Sequence, residues 1–164
     1  GDIPRKFHGY MQSWRDRHPD WQFIVWKDEL VTWDLRNAAL YNQADTFAEA
    51  SDIVRLEVIE RFGGIYIDTD FESLRPLDPH LGGVSFFVGV EKDVDTEVSS
   101  PADIGTEWVC PSLFGAAPHH RLTRALIEGL PAQVSENLGR DPNHKTGPYY
   151  WTDVLKGARM CKEG

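Results

Sequence analysis

Apolar residues recur along this chain at two spacings, and the change from one to the other marks its central stretch. Phe47, Ala50, Val54, Val58 and Phe62 return every three or four residues, which predicts a helix with those side chains on one face. Thr46 with Glu49 three residues on has the form of a capping box at its start, and Gly63 supplies a left-handed stop at its end. The period then falls to two, with Ile65, Ile67 and Thr69 alternating with Tyr66, Asp68 and Asp70 across a predicted strand. If that strand runs through residue 70, both carboxylates face one way with Cβ atoms roughly 6.6 Å apart. Like charges at the end of an apolar strand resist burial, and a shared divalent cation would remove the penalty. A solvated strand end carrying two acids is the plain alternative. The D-x-D spacing alone does not choose between them.

Other patterns fill in the flanks. Ile3–Phe7 reads as a short first strand with Pro4 at its edge, followed by a helix that stops in the turn Arg17-His18-Pro19-Asp20. Trp21–Trp26 is a run of β-formers, and residues 28–45 read as loop and short helix, with Trp33 and Tyr41 as core or groove wall. After the D-x-D, residues 71–78 are extended and end in a turn at Pro79–Gly83, and Val84–Val90 is another strand. From Glu91 to Glu107 acids gather (Asp93, Asp95, Glu97, Asp103), which predicts a mobile loop long enough to serve as a lid. Trp108–Pro118 is a strand and turn leading into a helix over Leu122–Leu130. His119 and His120 are adjacent, so they do not converge as a metal pair and read as surface polar residues. Gly147-Pro148 opens a last helix whose first N–H groups could face a phosphate, with a structural loop as the plain alternative. Alternating strands and helices predict a single α/β domain over residues 1–164, a mixed sheet flanked by helices.

Composition narrows the partners. The chain has 164 residues, 41% apolar, which is enough for one core. With 17 basic and 26 acidic residues its net charge is −9, which argues against nucleic acid or an anionic membrane as the main partner. A negatively charged substrate would then need a local cation. No apolar run approaches the roughly 20 residues needed to span a bilayer, so no transmembrane segment is expected. Cys110 and Cys161 make no metal-type pair and no disulfide framework, and suggest a reducing compartment.

The run Ala50-Ser51-Asp52-Ile53-Val54-Arg55, then Phe62-Gly63-Gly64-Ile65-Tyr66-Ile67-Asp68-Thr69-Asp70, then Leu74-Arg75-Pro76-Leu77, resembles the sugar-binding region of family 32 glycosyltransferases. The combined A-S-D-x-x-R and G-G-x-Y-x-D-x-D pattern is far more specific than either part. Ile3-Pro4 with His8 is similar to the family's opening I-P-x-x-x-H, and Thr146–Thr152 to a later motif. The aromatic, glycine-bearing loop that packs on the nucleotide base in relatives looks shortened here, with Tyr10 or Trp14 as substitutes and ordinary packing as the simpler role for Trp14. Relatives frequently carry Asn where Pro111 stands, which leaves Ser112 to supply that polar contact. The chain stops before the His- and Trp-bearing segment with which many relatives complete the metal site, so no third protein ligand is named.

The resemblance implies a GT-A type domain and a metal-dependent retaining glycosyltransferase. It would move a hexose or N-acetylhexosamine from a nucleoside diphosphate sugar, UDP- or GDP-linked, to a hydroxyl acceptor on a polysaccharide, glycolipid or glycan. Asp70 would ligate Mn2+ or Mg2+, with Asp68 reaching the metal through water or contacting the ribose. Asp52 with Arg55 would orient sugar and ribose, and Ser51, Gly64 and Tyr66 would line the donor. No nucleophile is named. For Asp52 and Arg55 a solvated i,i+3 ion pair is the plain alternative. A cytoplasmic, bacterial-type enzyme is expected, with a Golgi-lumenal catalytic fragment as the alternative. Two other classes remain: a non-catalytic sugar-nucleotide-binding domain, and a phosphohydrolase of the haloacid dehalogenase type, whose D-x-D asks for Thr or Val where Glu72 stands.

Overall fold

The computed structural model describes residues 3–27, 30, 31, 33–92 and 107–160. The chain divides into two compact units, Gly1–Asp34 with Ile67–Val84, and Leu35–Tyr66 with Ser85–Gly164.

In the first unit a 3-10 turn at Arg5–Phe7 runs directly into α1 (His8–Arg17). The predicted first strand is therefore absent: Pro4 lies outside the turn at φ −55°, Phe7 N–H donates to Pro4 O, and the chain coils at once. Helix α1 stops where Pro19 requires, and His18 then becomes an internal clasp. Its Nδ1 lies 3.0 Å from Trp14 O, and its Nε2 accepts from Leu77 N–H at 2.9 Å. Trp14, 5% exposed, donates its indole N–H to Phe71 O, which settles its role as packing. Residues 21–25 alternate half-buried and exposed, but the expected strand over 21–26 is not assigned among the described residues. Their side chains are engaged instead, with Trp21 against His18 at 4.1 Å and Trp26 edge-on to Trp33 at 5.6 Å. β-Propensity reports fit to a pleated surface and supplies no partner by itself. The turn expected at 79–83 is a single helical turn, α4 (Asp78–Leu81), followed by Gly82-Gly83.

The second unit holds α2 (Ala38–Asn42), α3 (Phe47–Phe62), β2 (Phe86–Lys92), β3 (Glu107–Ala116), α5 (Arg121–Glu136), α6 (Pro142–Lys145) and α7 (Pro148–Met160). With β1 (Gly64–Ile67), whose last residue begins the first unit's second segment, they give a three-stranded sheet in the order β1-β3-β2. The α/β class is as expected from the alternating elements. Between β2 and β3 the pairing is antiparallel, and it jumps from Val88↔Phe114 to Gly89↔Cys110, so Pro111–Leu113 face no residue of β2. Proline has no N–H to give a ladder, and a bulge is where a strand tolerates it. Helix α5 continues past the expected Leu130, through Pro131, to Glu136. The acidic loop and its lid reading lie outside the described residues.

Helix α3 is the spine of this unit. Thr46 Oγ1 accepts from Glu49 N–H at 3.2 Å, but the Glu49 carboxylate takes Asp45 N–H instead of completing the box. Gly63 ends the helix at φ +68°, and a Cβ there would stand 2.6 Å from the Pro118 ring, so both conformation and space require glycine. The buried face follows the predicted stripe only in part: Val58 is 4% exposed and Ala50 and Val54 are half-buried, but the ends of the stripe are not. Phe47 is 97% and Phe62 53% exposed, whereas Ile53, Leu56 and Ile59 are 3% exposed or less. Each contributes about 1.5–3 kcal/mol by burial, together with Leu126, Ile127, Leu130, Phe114 and Trp151.

Charged residues are buried on the same helix. Glu60 faces Arg36 at 3.2 Å, His119 at 3.3 Å and Arg124 at 3.6 Å. His119 and His120 precede α5 instead of beginning it. His119 has φ +57° and a mostly exposed ring, and His120 caps the helix by accepting from Leu122 N–H. Glu57 accepts from Asn37 N–H, but burial pushes its carboxyl above the ordinary carboxylate range. The folded state then holds that proton more tightly than the unfolded chain, so stability falls as pH rises from about the unfolded value through the folded one. Glu57→Gln keeps the acceptor oxygen without the charge. It should raise the melting temperature at pH 7 and leave it unchanged near pH 4, as read by scanning calorimetry at the two pH values.

Candidate functional site

Three elements of the second unit build one polar cluster: α3, the first residues of β1, and the bulge of β3. Asp52 and Arg55 form the i,i+3 pair expected of a helix, with Oδ1 and Nη2 3.2 Å apart, but the pair is not solvated. Its side chains are 10% and 7% exposed. Burial of two charges holds only if each finds further partners, and it does. Arg55 Nη1 donates to Pro111 O at 3.0 Å, Nη2 to Ser51 Oγ at 3.3 Å, and Nε to Ser51 O at 3.4 Å. The guanidinium also lies 4.5 Å from the centre of the Tyr66 ring, a cation–π contact. Tyr66 closes the group, its hydroxyl 3.3 Å from Ser51 Oγ and its ring tilted on Phe114. Ser51, Asp52, Arg55 and Tyr66 are thus brought together as one unit.

The bulge explains part of this. Residues 111–113 leave the β2 ladder, and the Pro111 carbonyl is turned to Arg55. Proline inside a predicted strand was the signal for the bulge.

Sequence reasoning also missed Thr146 and Lys145. Thr146, 1% exposed, donates its hydroxyl to Asp52 Oδ2 at 2.6 Å. Its neighbour Lys145 is buried, pairs with Glu49 and reaches Asp45 Oδ2 at 3.2 Å. The hydrogen bond to Glu49, more than any other influence, raises the ammonium pKa above its ordinary value. A threonine before Gly-Pro has no sequence mark of a tertiary contact.

Gly64 takes a different part. It is exposed at φ +96°, a conformation that favours glycine, and has no hydrogen bond in the cluster among those found. Asp68 and Asp70 belong to the first unit. The strand ends at Ile67, and Phe71 N–H donates to Asp68 O at 3.1 Å, so residues 68–71 form a turn. The period-two argument therefore fails beyond Ile67, and with it the common orientation and spacing assigned to the two carboxylates. Asp68 is half-buried and Asp70 exposed. Among the described residues no group of three or more His, Cys, Asp or Glu side chains converges as a metal site. Two carboxylates fit Mg2+ or Mn2+ in one manner only, with substrate phosphates and water completing the shell.

Residues 4–87 match the family described as the glycosyltransferase sugar-binding region containing the DXD motif, a span that includes the A-S-D-x-x-R and D-x-D stretches. The chain belongs to that family of glycosyltransferases. It is 34% identical over 135 residues to a mannosyl phosphorylinositol ceramide synthase of Saccharomyces cerevisiae, covering 79% of this chain and 32% of that one. It is 24% identical over 186 residues to the initiation-specific alpha-1,6-mannosyltransferase of Candida albicans, covering 93% and 48%. Among solved structures it is similar to PaToxG glycosyltransferase, with a TM-score of 0.52 and 19% identity over 74% of this chain and 40% of that one, a likeness of fold. The chain spans less than half the length of these curated relatives. No helix among the described residues is long and apolar enough to cross a membrane.

Proposed function

We propose that the chain carries the donor-binding machinery of a metal-dependent retaining glycosyltransferase, which moves a hexose from a nucleoside diphosphate sugar to a hydroxyl acceptor. The names of the yeast relatives favour mannose as the sugar, and a GDP-linked donor is tested first, with UDP-sugars beside it. The observation that carries the reading is the buried Asp52–Arg55 pair, held by Ser51, Tyr66 and Pro111 O in one hydrogen-bonded group. A buried ion pair with this many partners is a rigid set of donors and acceptors suited to sugar and ribose hydroxyls. Asp70, with Asp68, would hold Mn2+ or Mg2+ in company with the donor's phosphates. When bound, the metal supplies charge neutralisation on the departing diphosphate.

The chain's own residues do the rest. Asp52 accepts from a donor hydroxyl while its ion pair with Arg55 holds the carboxylate in place, and Ser51, Gly64 and Tyr66 border the donor. The test is release of GDP or UDP from a panel of sugar nucleotides with manganese, with and without mannosyl-accepting glycolipid. Acceptor-stimulated release from GDP-mannose is the expected result. Donor binding without any hydrolysis or transfer would instead mark a binding module, and no binding of any sugar nucleotide would end the proposal.

A further inference from the structure

We propose that Thr146 is a positioning residue, which fixes the Asp52 carboxylate in the orientation that accepts a sugar-nucleotide hydroxyl. The inference rests on the donor-binding reading of Asp52. A carboxylate on a single helix turns readily about its last torsion, since sp3–sp2 torsions are broad and roughly two-fold. Here each oxygen has its own anchor: Arg55 Nη2 at Oδ1, from α3 itself, and the Thr146 hydroxyl at Oδ2, from the junction of α6 and α7. Anchoring does not use the group up, because an ionised carboxylate offers about four acceptor sites.

The position of Thr146 is set before any donor arrives. Asp141 caps α6 by accepting from His144 N–H, and the backbone N–H groups of Thr146 and Gly147 both donate to Pro142 O. A Cβ at Gly147 would stand 2.9 Å from Asn143 Cα, so the chain turns tightly there only because residue 147 is glycine. Lys145 pairs with Glu49, one helical turn before Asp52 on α3, so consecutive residues of the junction hold consecutive turns of the helix. Valine would fill the space of Thr146 at a site only 1% exposed; the hydroxyl is what the carboxylate gains.

Calorimetric titration of GDP-mannose with manganese, together with steady-state kinetics, tests this on Thr146→Val, Thr146→Ser, Asp52→Asn and the double variant of Thr146→Val with Asp52→Asn. A hydrogen bond to a charged group is worth about tenfold or more in an equilibrium. Thr146→Val should therefore raise donor Kd and KM about tenfold with kcat little changed, and Thr146→Ser should restore both. In the Asp52→Asn background Thr146→Val should add nothing, because the two act through one contact. If Thr146→Val melts below the assay temperature, Thr146→Ala takes its place with the same expected loss. An unchanged Kd in Thr146→Val while Asp52→Asn weakens binding overturns the positioning role alone, as does an additive loss in the double variant. An unchanged Kd in Asp52→Asn overturns the donor reading itself.

Discussion

Asp70→Ala is expected to lower acceptor-dependent turnover about a thousandfold or more, while leaving the melting temperature close to that of the parent chain. The two halves of this prediction come from the same observation. Asp70 is exposed in the turn that follows β1, so its removal takes little from the packing. Its proposed work is with the departing diphosphate, where metal-assisted charge stabilisation is worth several kcal/mol and each 1.36 kcal/mol is a tenfold in rate. Release of nucleotide measured at saturating manganese, beside a thermal melt, separates the two. A large loss of rate with a large loss of stability would mean that the residue holds the fold.

Arg55→Met is expected to cost the fold as well, by about 3 kcal/mol, at the lower end for removing one partner of a buried ion pair. Methionine replaces the aliphatic volume but leaves the buried Asp52 carboxylate with the Thr146 hydroxyl and without the guanidinium, and takes the Arg55 N–H from the Pro111 carbonyl. For a domain of this size that amounts to roughly 6–12 °C in melting temperature. Adding Asp52→Asn to Arg55→Met should recover part of the loss, since the stranded charge is then gone. Denaturant melts of the two single variants and the double variant give the coupling directly; a double variant less stable than Arg55→Met would contradict the buried-pair account.

The contrast between these residues shows where the sequence was readable. Helix α3 was legible at both ends, because Thr46 and Gly63 act through local backbone geometry. Its buried face was legible only in part, through Val58. Apolar periodicity chose Phe47 and Phe62, which lie at the helix ends and are exposed, and passed over Glu49, Asp52, Arg55, Glu57 and Glu60, which are buried because Lys145, Thr146, Asn37, Arg36 and Arg124 come to them from distant sequence. Long-range pairing leaves no periodic trace. The same limit explains Ile3–Phe7 and Trp21–Trp26. Both have strand composition, yet one coils into α1 and the other has no assigned ladder among the described residues.

The residues proposed to bind the donor divide along the same line. Ser51, Asp52, Arg55 and Tyr66 were chosen from the resemblance, and the fold gathers all four. Thr146 and the Pro111 carbonyl, which complete the cluster, were not chosen, because one acts through a hydroxyl with no motif of its own and the other through a backbone oxygen. The matched span includes the D-x-D stretch, but its geometry differs from the period-two expectation, since the strand stops at Ile67 and a turn takes over.

The most direct test is calorimetric titration of GDP-mannose and a UDP-sugar into the chain with manganese and again with chelator, repeated on the double variant Asp68→Asn with Asp70→Asn. The account predicts saturable donor binding that requires manganese and disappears in the double variant. Donor binding of equal strength in chelator, or retained by a folded double variant, would contradict it.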